Sequence, residues 1–306
     1  MRDRALLPVL ALLTTVVLWG LSYPAMKTVV TVLDPQAVMW ARMAVALLTL
    51  LPVLTRVWPR MRRADLPALA AMCLLMPCAY FFFESNALRY TTSMQAGIIS
   101  STVPLLVAVG AWLFLKEPLS LRALAGLLLA LAGVSLMSLQ GRATEAASDP
   151  LLGNVLEVCA MICAAGSMLV LKRLSARYGS WSLTMLQTVA GMLFFLPGAP
   201  ILFDRWEALL HGGQLWILLF LGAGASLGAF GLYNWGMSRM EAGRASAYIN
   251  LVPVMAVVFG WLFLGESLTL GQIWAALLVL AGVGLSQMRS RPRRGRSALG
   301  AETAGR

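Results

Sequence analysis

Runs of about twenty apolar residues, separated by short polar segments, recur from residue 5 to residue 288 of this chain. A helix rises about 1.5 Å per residue, so each run is long enough to cross ~30 Å of hydrocarbon. It also satisfies its own backbone hydrogen bonds, which lipid cannot do for it. The pattern predicts ten spans, near 5–27, 35–56, 66–86, 92–115, 119–140, 151–173, 181–203, 214–237, 244–264 and 268–288. Local chemistry marks several starts. Asp34-Pro35 and Asp149-Pro150 place a capping carboxylate before a proline at the first helical position, where the missing N–H costs nothing. Asp65 and Ser180 are candidate caps, and Thr269-x-x-Gln272 reads as a capping box.

The second half of the chain echoes the first. Shifted by 149 residues, 96–136 and 245–285 share 18 identities in 41 positions without a gap. Val103-Pro104 matches Val252-Pro253, Trp112-Leu-Phe-Leu115 matches Trp261-Leu-Phe-Leu264, and Glu117 matches Glu266. Ala132-Gly133-Val134 matches Ala281-Gly282-Val283, and a weaker echo at a shift of 145 pairs Lys27 with Lys172. Hydrophobicity alone does not preserve Pro, Trp, Glu and Gly together. Five spans per half is an odd number, so the second copy enters the membrane the opposite way round. Inverted repeats are a signature of secondary transporters, with the substrate near the midplane where the repeats meet. The expected fold is all-α and integral to the membrane, with one repeat over 1–141, a second over 149–288 and a basic tail over 289–306 that reads as disordered.

Trp19-Gly20-x-Ser22 in the first span, Arg42 in the second and the two Pro…Trp-Leu-Phe-Leu-x-Glu blocks carry a resemblance to a known family. Over essentially its whole length the chain resembles the EamA family of the drug/metabolite transporter superfamily. That resemblance implies a fold hosting exporters and permeases for amino acids, nucleosides, sugars and cationic drugs.

Composition adds that no soluble domain is present: 59% of residues are apolar and only 12% charged, about half the charged share of a soluble chain. The net charge of +11 does not point to nucleic acid, because the basic residues sit in short loops between apolar runs. Nineteen of the 24 Lys and Arg residues fall on the side of the N-terminus, four (Lys27, Arg89, Arg142 and Arg205) on the other, and Arg42 within a span. By the positive-inside rule both termini face the cytoplasm, and the first run reads as a retained helix in the cell (inner) membrane. The tail is a topology anchor with a capacity to touch anionic lipid heads. Cys73, Cys78, Cys159 and Cys163 lie within spans as small apolar residues, and no metal or cofactor is expected.

Candidate transport residues are those whose polarity is out of place in a span. Glu84, one turn beyond Tyr80, either faces a cavity or pairs with Arg89 near the outer surface; a carboxylate there costs about 2.5–3.5 kcal/mol on insertion scales. In a cavity it is a candidate for proton coupling or for holding a cation. Glu157 is the second membrane acid, and with neighbouring aromatics the two would form an anionic, π-lined vestibule suited to amines. Arg42 either binds a substrate carboxylate or neutralises Glu84 or Glu157, and is counted with the structural charges. Glu117 and Glu266, at helix-to-helix turns, read as structural helix-start acids. Trp19, Tyr23, Trp40, Tyr80, Tyr233, Asn234 and Tyr248 are candidate substrate contacts beside the two acids, as are Ser101 and its repeat mate Asn250. Pro104 and Pro253 are candidate hinges, since a mid-span proline breaks the hydrogen-bond ladder.

No hydrolase, zinc or phosphate-loop motif is present, and one histidine offers little acid–base chemistry, so the chain is not expected to be an enzyme. The expectation is a secondary active transporter, monomeric or homodimeric, exporting an amino acid or a related amphipathic or cationic compound, with protons as a candidate coupling ion. An uptake permease or exchanger, and a passive channel or scramblase, are the alternatives.

Overall fold

The computed structural model describes residues 2–53, 61–141, 143–210, 212–237, 239–240 and 248–287. The tail, the end of the second span (54–56), the start of the ninth (244–247), with Ser246, and the Asn234 side chain lie outside the described residues. The described residues are helical throughout, with no strand among them. In chain order the apolar helices are α1 (Arg2–Val32), α2 (Pro35–Leu50), α3 (Arg63–Tyr90), α4 (Ser93–Leu115) and α5 (Leu121–Leu139). They continue as α6 (Pro150–Leu174), α7 (Ser180–Phe194 with Gly198–Asp204), α8 (Gln214–Tyr233), α9 (Val252–Leu264) and α10 (Leu270–Gln287).

Seven of these are long and apolar enough to cross a membrane; α7 joins them only when its two parts, bent by 66°, count as one span, and α2 and α9 are shorter apolar helices. The bend falls at Pro197-Gly198, where an amide hydrogen is missing and a helix continues poorly. The chain is thus a multi-span membrane protein. Its outward face is apolar, with Phe114 79% and Trp261 64% exposed, a surface that hydrocarbon accepts and water does not.

Asp34 and Asp149 cap as expected, accepting from Gln36 N at 2.8 Å and Leu152 N at 3.1 Å. Thr269 and Gln272 form the reciprocal box at 2.9 and 3.3 Å. Two other expected caps do not form. Asp65 instead accepts from Arg177 (2.7 Å) and Tyr178 (3.0 Å), tying the start of α3 to the end of α6, and Ser180 is already helical, following Gly179.

The repeated block folds the same way twice. Val103–Leu115 and Val252–Leu264 are 13-residue helices with proline second, each ending in a left-handed residue, Lys116 (φ 55°) and Gly265 (φ 62°). The next amide returns to the same place in both: Glu117 N to Ala111 O and Glu266 N to Gly260 O, each at 3.2 Å. The chain breaks at Ser101-Thr102 and at Asn250-Leu251, so each proline starts a new helical stretch and is not the centre of a bent one. Proline disfavours helical geometry in the residues before it, which moves the break upstream.

Helices α5 and α10 make the most intimate crossing. A Cβ on Gly126 would overlap the Gly282 carbonyl, and one on Gly282 that of Gly126, while Gly133 sits against Ala275. Under the shift of 149 the Gly126–Gly282 contact maps onto Ala275–Gly133. Helix α1 packs on α8 and α9 as α6 packs on α3 and α4.

Candidate functional site

Four of the sequence candidates converge. Tyr23 from α1, Tyr80 and Glu84 from α3 and Glu157 from α6 form one cluster, with Ser100 of α4 beside Tyr23. Tyr80 donates its hydroxyl hydrogen to Glu84, one turn further along the helix. Glu84 is buried and therefore does not pair with the exposed Arg89. Glu157 has no exposed surface, and neither carboxylate oxygen has a hydrogen-bond partner. A second acid this close, without a donor of its own, is the most conspicuous unmet polar group among the described residues.

Arg42 lies near this cluster, within electrostatic reach of Glu84 and not in a direct ion pair with it. Its Nε donates to Ser226 Oγ of α8 at 3.0 Å, and its guanidinium sits 4.4 Å over the Phe81 ring. Phe81 and Ser226 also line an open cavity, with about 470 Å³ of empty space that includes its solvent-filled mouth. Its walls come from α2 (Met43), α3 (Met76, Pro77), α7 (Thr184, Gln187, Thr188) and α8 (Phe230). Short connections make consecutive helices antiparallel. These residues therefore occupy the half of the bundle that holds the start of α1.

The cavity owes its shape to a break in α3. Met76, before Pro77, leaves helical geometry (φ −145°, ψ 120°), and its carbonyl accepts from Gln187 Nε2 at 2.9 Å. Sequence reading passed over Thr184, Gln187 and Thr188. The available signal was a polar stripe at helical spacing in an apolar run, partnered by a proline a hundred residues away.

The remaining candidates lie elsewhere. Trp19 donates to Ala225 O at 3.2 Å and packs on Phe230 and Tyr233, forming an aromatic wall between α1 and α8. Trp40 meets Phe203, and its ring N–H is unpartnered. Tyr248 packs against the core around α1 and α2. Ser101 spends its hydroxyl on Ile98 O (2.6 Å), and Asn250 exchanges hydrogen bonds with Gln287 at 2.7 and 3.2 Å, away from the acidic cluster. Pro104 is exposed, whereas Pro253 is buried.

At the opposite end of the bundle, buried polar contacts tie α1, α3, α4, α5, α6 and the α9–α10 turn together. Lys27, placed in an outer loop by the sequence, is buried within α1 and donates to Leu88 O (2.6 Å) and Thr91 O (2.8 Å). Thr91 donates to Asn154 Oδ1 at 2.7 Å, and Asn154 Nδ2 donates to Gln95 (2.9 Å) and Ser138 (3.1 Å). Glu266 does not serve its own helix. It accepts from Ser93 N (2.8 Å), Ser93 Oγ (2.8 Å) and Met94 N (3.0 Å), capping α4. Its mate Glu117 is exposed and pairs with Lys172 at 3.3 Å.

The sequence profile of the EamA-like transporter family matches residues 6–139 and 151–288. The chain belongs to the EamA-like transporter family. An uncharacterized transporter of Archaeoglobus fulgidus is 29% identical over 279 residues, covering 90% of this chain and 96% of that protein. The uncharacterized transporter YetK of Bacillus subtilis is 26% identical over 242 residues, 78% of this chain and 73% of its own. The uncharacterized inner membrane transporter YhbE of Escherichia coli is 25% identical over 273 residues, 85% and 82% respectively. A solved crystal structure superposes with a TM-score of 0.59 at 17% identity, over 96% of this chain and 99% of its own, so the EamA-like chain shares that fold.

Proposed function

We propose that this EamA-like transporter is a secondary active exporter. It spans the cytoplasmic membrane ten times as two inverted five-helix halves and moves an amino acid or a related amphipathic or cationic compound in exchange for protons. The carrying observation is the enclosed acid pair Glu84 and Glu157, drawn from opposite halves and set among Tyr23 and Tyr80. A substrate amine is attracted there by charge and by the aromatic faces. The family profile over 6–139 and 151–288, and the mapping of Gly126–Gly282 onto Ala275–Gly133, favour the inverted repeat. The sequence assigns nineteen basic residues to the side of the N-terminus and, with Lys27 counted as buried within α1, three to the other, which favours cytoplasmic termini. The cavity then faces the cytoplasm, where an exporter loads.

Buried polar groups that bond to one another at the far end disfavour a passive channel, which needs a continuous polar path. The test is flux into proteoliposomes across a panel of amino acids and organic cations, with and without a pH gradient, for the wild type, Glu84→Gln and Glu157→Gln. Saturable, gradient-dependent flux lost in either variant supports the reading. Gradient-independent flux that both variants keep removes the acids from the mechanism, and flux that never saturates points to a channel or scramblase.

A further inference from the structure

The repeat mates Glu266 and Glu117 stand in opposite circumstances. Glu266 is buried, and its carboxylate takes three hydrogen bonds from the first turn of α4. Acceptance by a carboxylate roughly doubles the strength of such bonds, and the helix N-terminus adds its partial positive charge. The contact joins the α9–α10 turn of the second half to α4 of the first. Glu117, in the matching turn, is exposed and pairs with Lys172. Lys27, which corresponds to Lys172 in the repeat, is buried on the Leu88 and Thr91 carbonyls, with the Glu266 carboxylate within electrostatic reach.

The seat of Glu266 is fitted to it. Gly260 allows the approach: a Cβ there would lie 2.8 Å from Glu266 Oε2, 2.8 Å from Ser93 Oγ and 2.7 Å from Met94 Cγ. The residue at the matching position of the first half is Ala111, which carries that Cβ. The same turn is therefore built as a receptor at one end of the bundle and not at the other.

We propose that Glu266 is the latch that holds the far end of the bundle shut. When that end opens, Glu266 leaves the first turn of α4 and pairs with Lys27, as Glu117 pairs with Lys172 in the state described. Two-state elements of this kind respond to small changes because packed interfaces are bistable. The glycine at 260 and the alanine at 111 weight the resting equilibrium toward the state closed at this end. The proposal rests on the secondary-transporter reading above, in which the two ends open in turn, but its test needs neither a substrate nor a gradient.

Spin labels on Arg89→Cys and Leu270→Cys, both exposed and flanking the latch, report the width of this end by pulsed dipolar spectroscopy on the full chain in lipid nanodiscs. Cys73, Cys78, Cys159 and Cys163 are first replaced by serine or alanine. Glu266→Ala removes the acceptor, and Gly260→Ala crowds the seat without touching a charge. Each is expected to raise a longer-distance population on the order of tenfold relative to the parent. Glu117→Gln and Lys172→Met are expected to leave the distribution closed. If Glu266→Ala does not fold, Gly260→Ala carries the measurement alone. An unchanged single population in Gly260→Ala, or the same widening in Glu117→Gln, overturns the latch. Gradient-driven flux of the same variants in proteoliposomes would then leave the transporter reading standing, and its absence from the wild type would remove that reading separately.

Discussion

Tyr80 and Glu84 sit one helical turn apart on α3, and the phenol donates its hydrogen to the carboxylate inside the bundle. The hydrogen bond serves a buried acid that would otherwise stand as bare as Glu157 across from it.

Tyr80→Phe is therefore expected to lower stability by about 1–3 kcal/mol, the cost of leaving a buried acceptor without its donor. Thermal unfolding in detergent, compared with the wild type and with Glu84→Gln, measures it. If Tyr80→Phe costs nothing in the Glu84→Gln background but does so alone, the two residues are coupled.

Glu157→Gln has the opposite expectation. No donor serves either oxygen, so the variant gives up no hydrogen bond that the structure contains. Unfolding temperature should hold or rise while gradient-driven flux is lost. A large fall in stability would mean that Glu157 is a structural acid.

Gln187→Met leaves the Met76 carbonyl without its partner and makes one wall of the cavity apolar. The expected result is a several-fold rise in apparent KM for transported compounds with little change in maximal flux, the pattern of lost ground-state binding. Asn250→Ala, whose partner is Gln287, is expected to leave both unchanged. Saturation curves on the two variants decide it.

Gly282→Val places branched carbon on the Gly126 carbonyl. A destabilisation of about 1–3 kcal/mol or failure to fold is expected, since overpacking at a closed helix crossing has no room to relax. Yield and unfolding temperature in detergent measure this, and Gly284→Ala, with open space around it, is the control.

Much of this was written in single residues. Asp34, Asp149 and Thr269 declare helix starts because caps act over three or four residues of chain. The repeat declared the correspondence of α4 with α9 and of α5 with α10. Glu84 and Glu157 were conspicuous because an acid in an apolar run has few uses. Lys27 was not legible: its position at the end of a hydrophobic run suits a loop, and only the carbonyls of Leu88 and Thr91 keep it inside. Glu266 looked like a cap for its own helix, since sequence gives the turn it ends but not the foreign helix that arrives there. Gln187 and Asn250 illustrate the same limit from both sides. Each is a polar residue in or beside a span, and only the partner, Met76 or Gln287, decides which one faces the cavity.

The crossing of α5 and α10 has a consequence for how the molecule moves. Where Gly126 meets Gly282, backbone lies on backbone, with no side chain between to bend or change rotamer. Two helices joined that closely travel as one piece, a keel shared by both halves. Whatever rocks does so around it, and injury to the keel should cost the cell the protein itself before it costs the traffic.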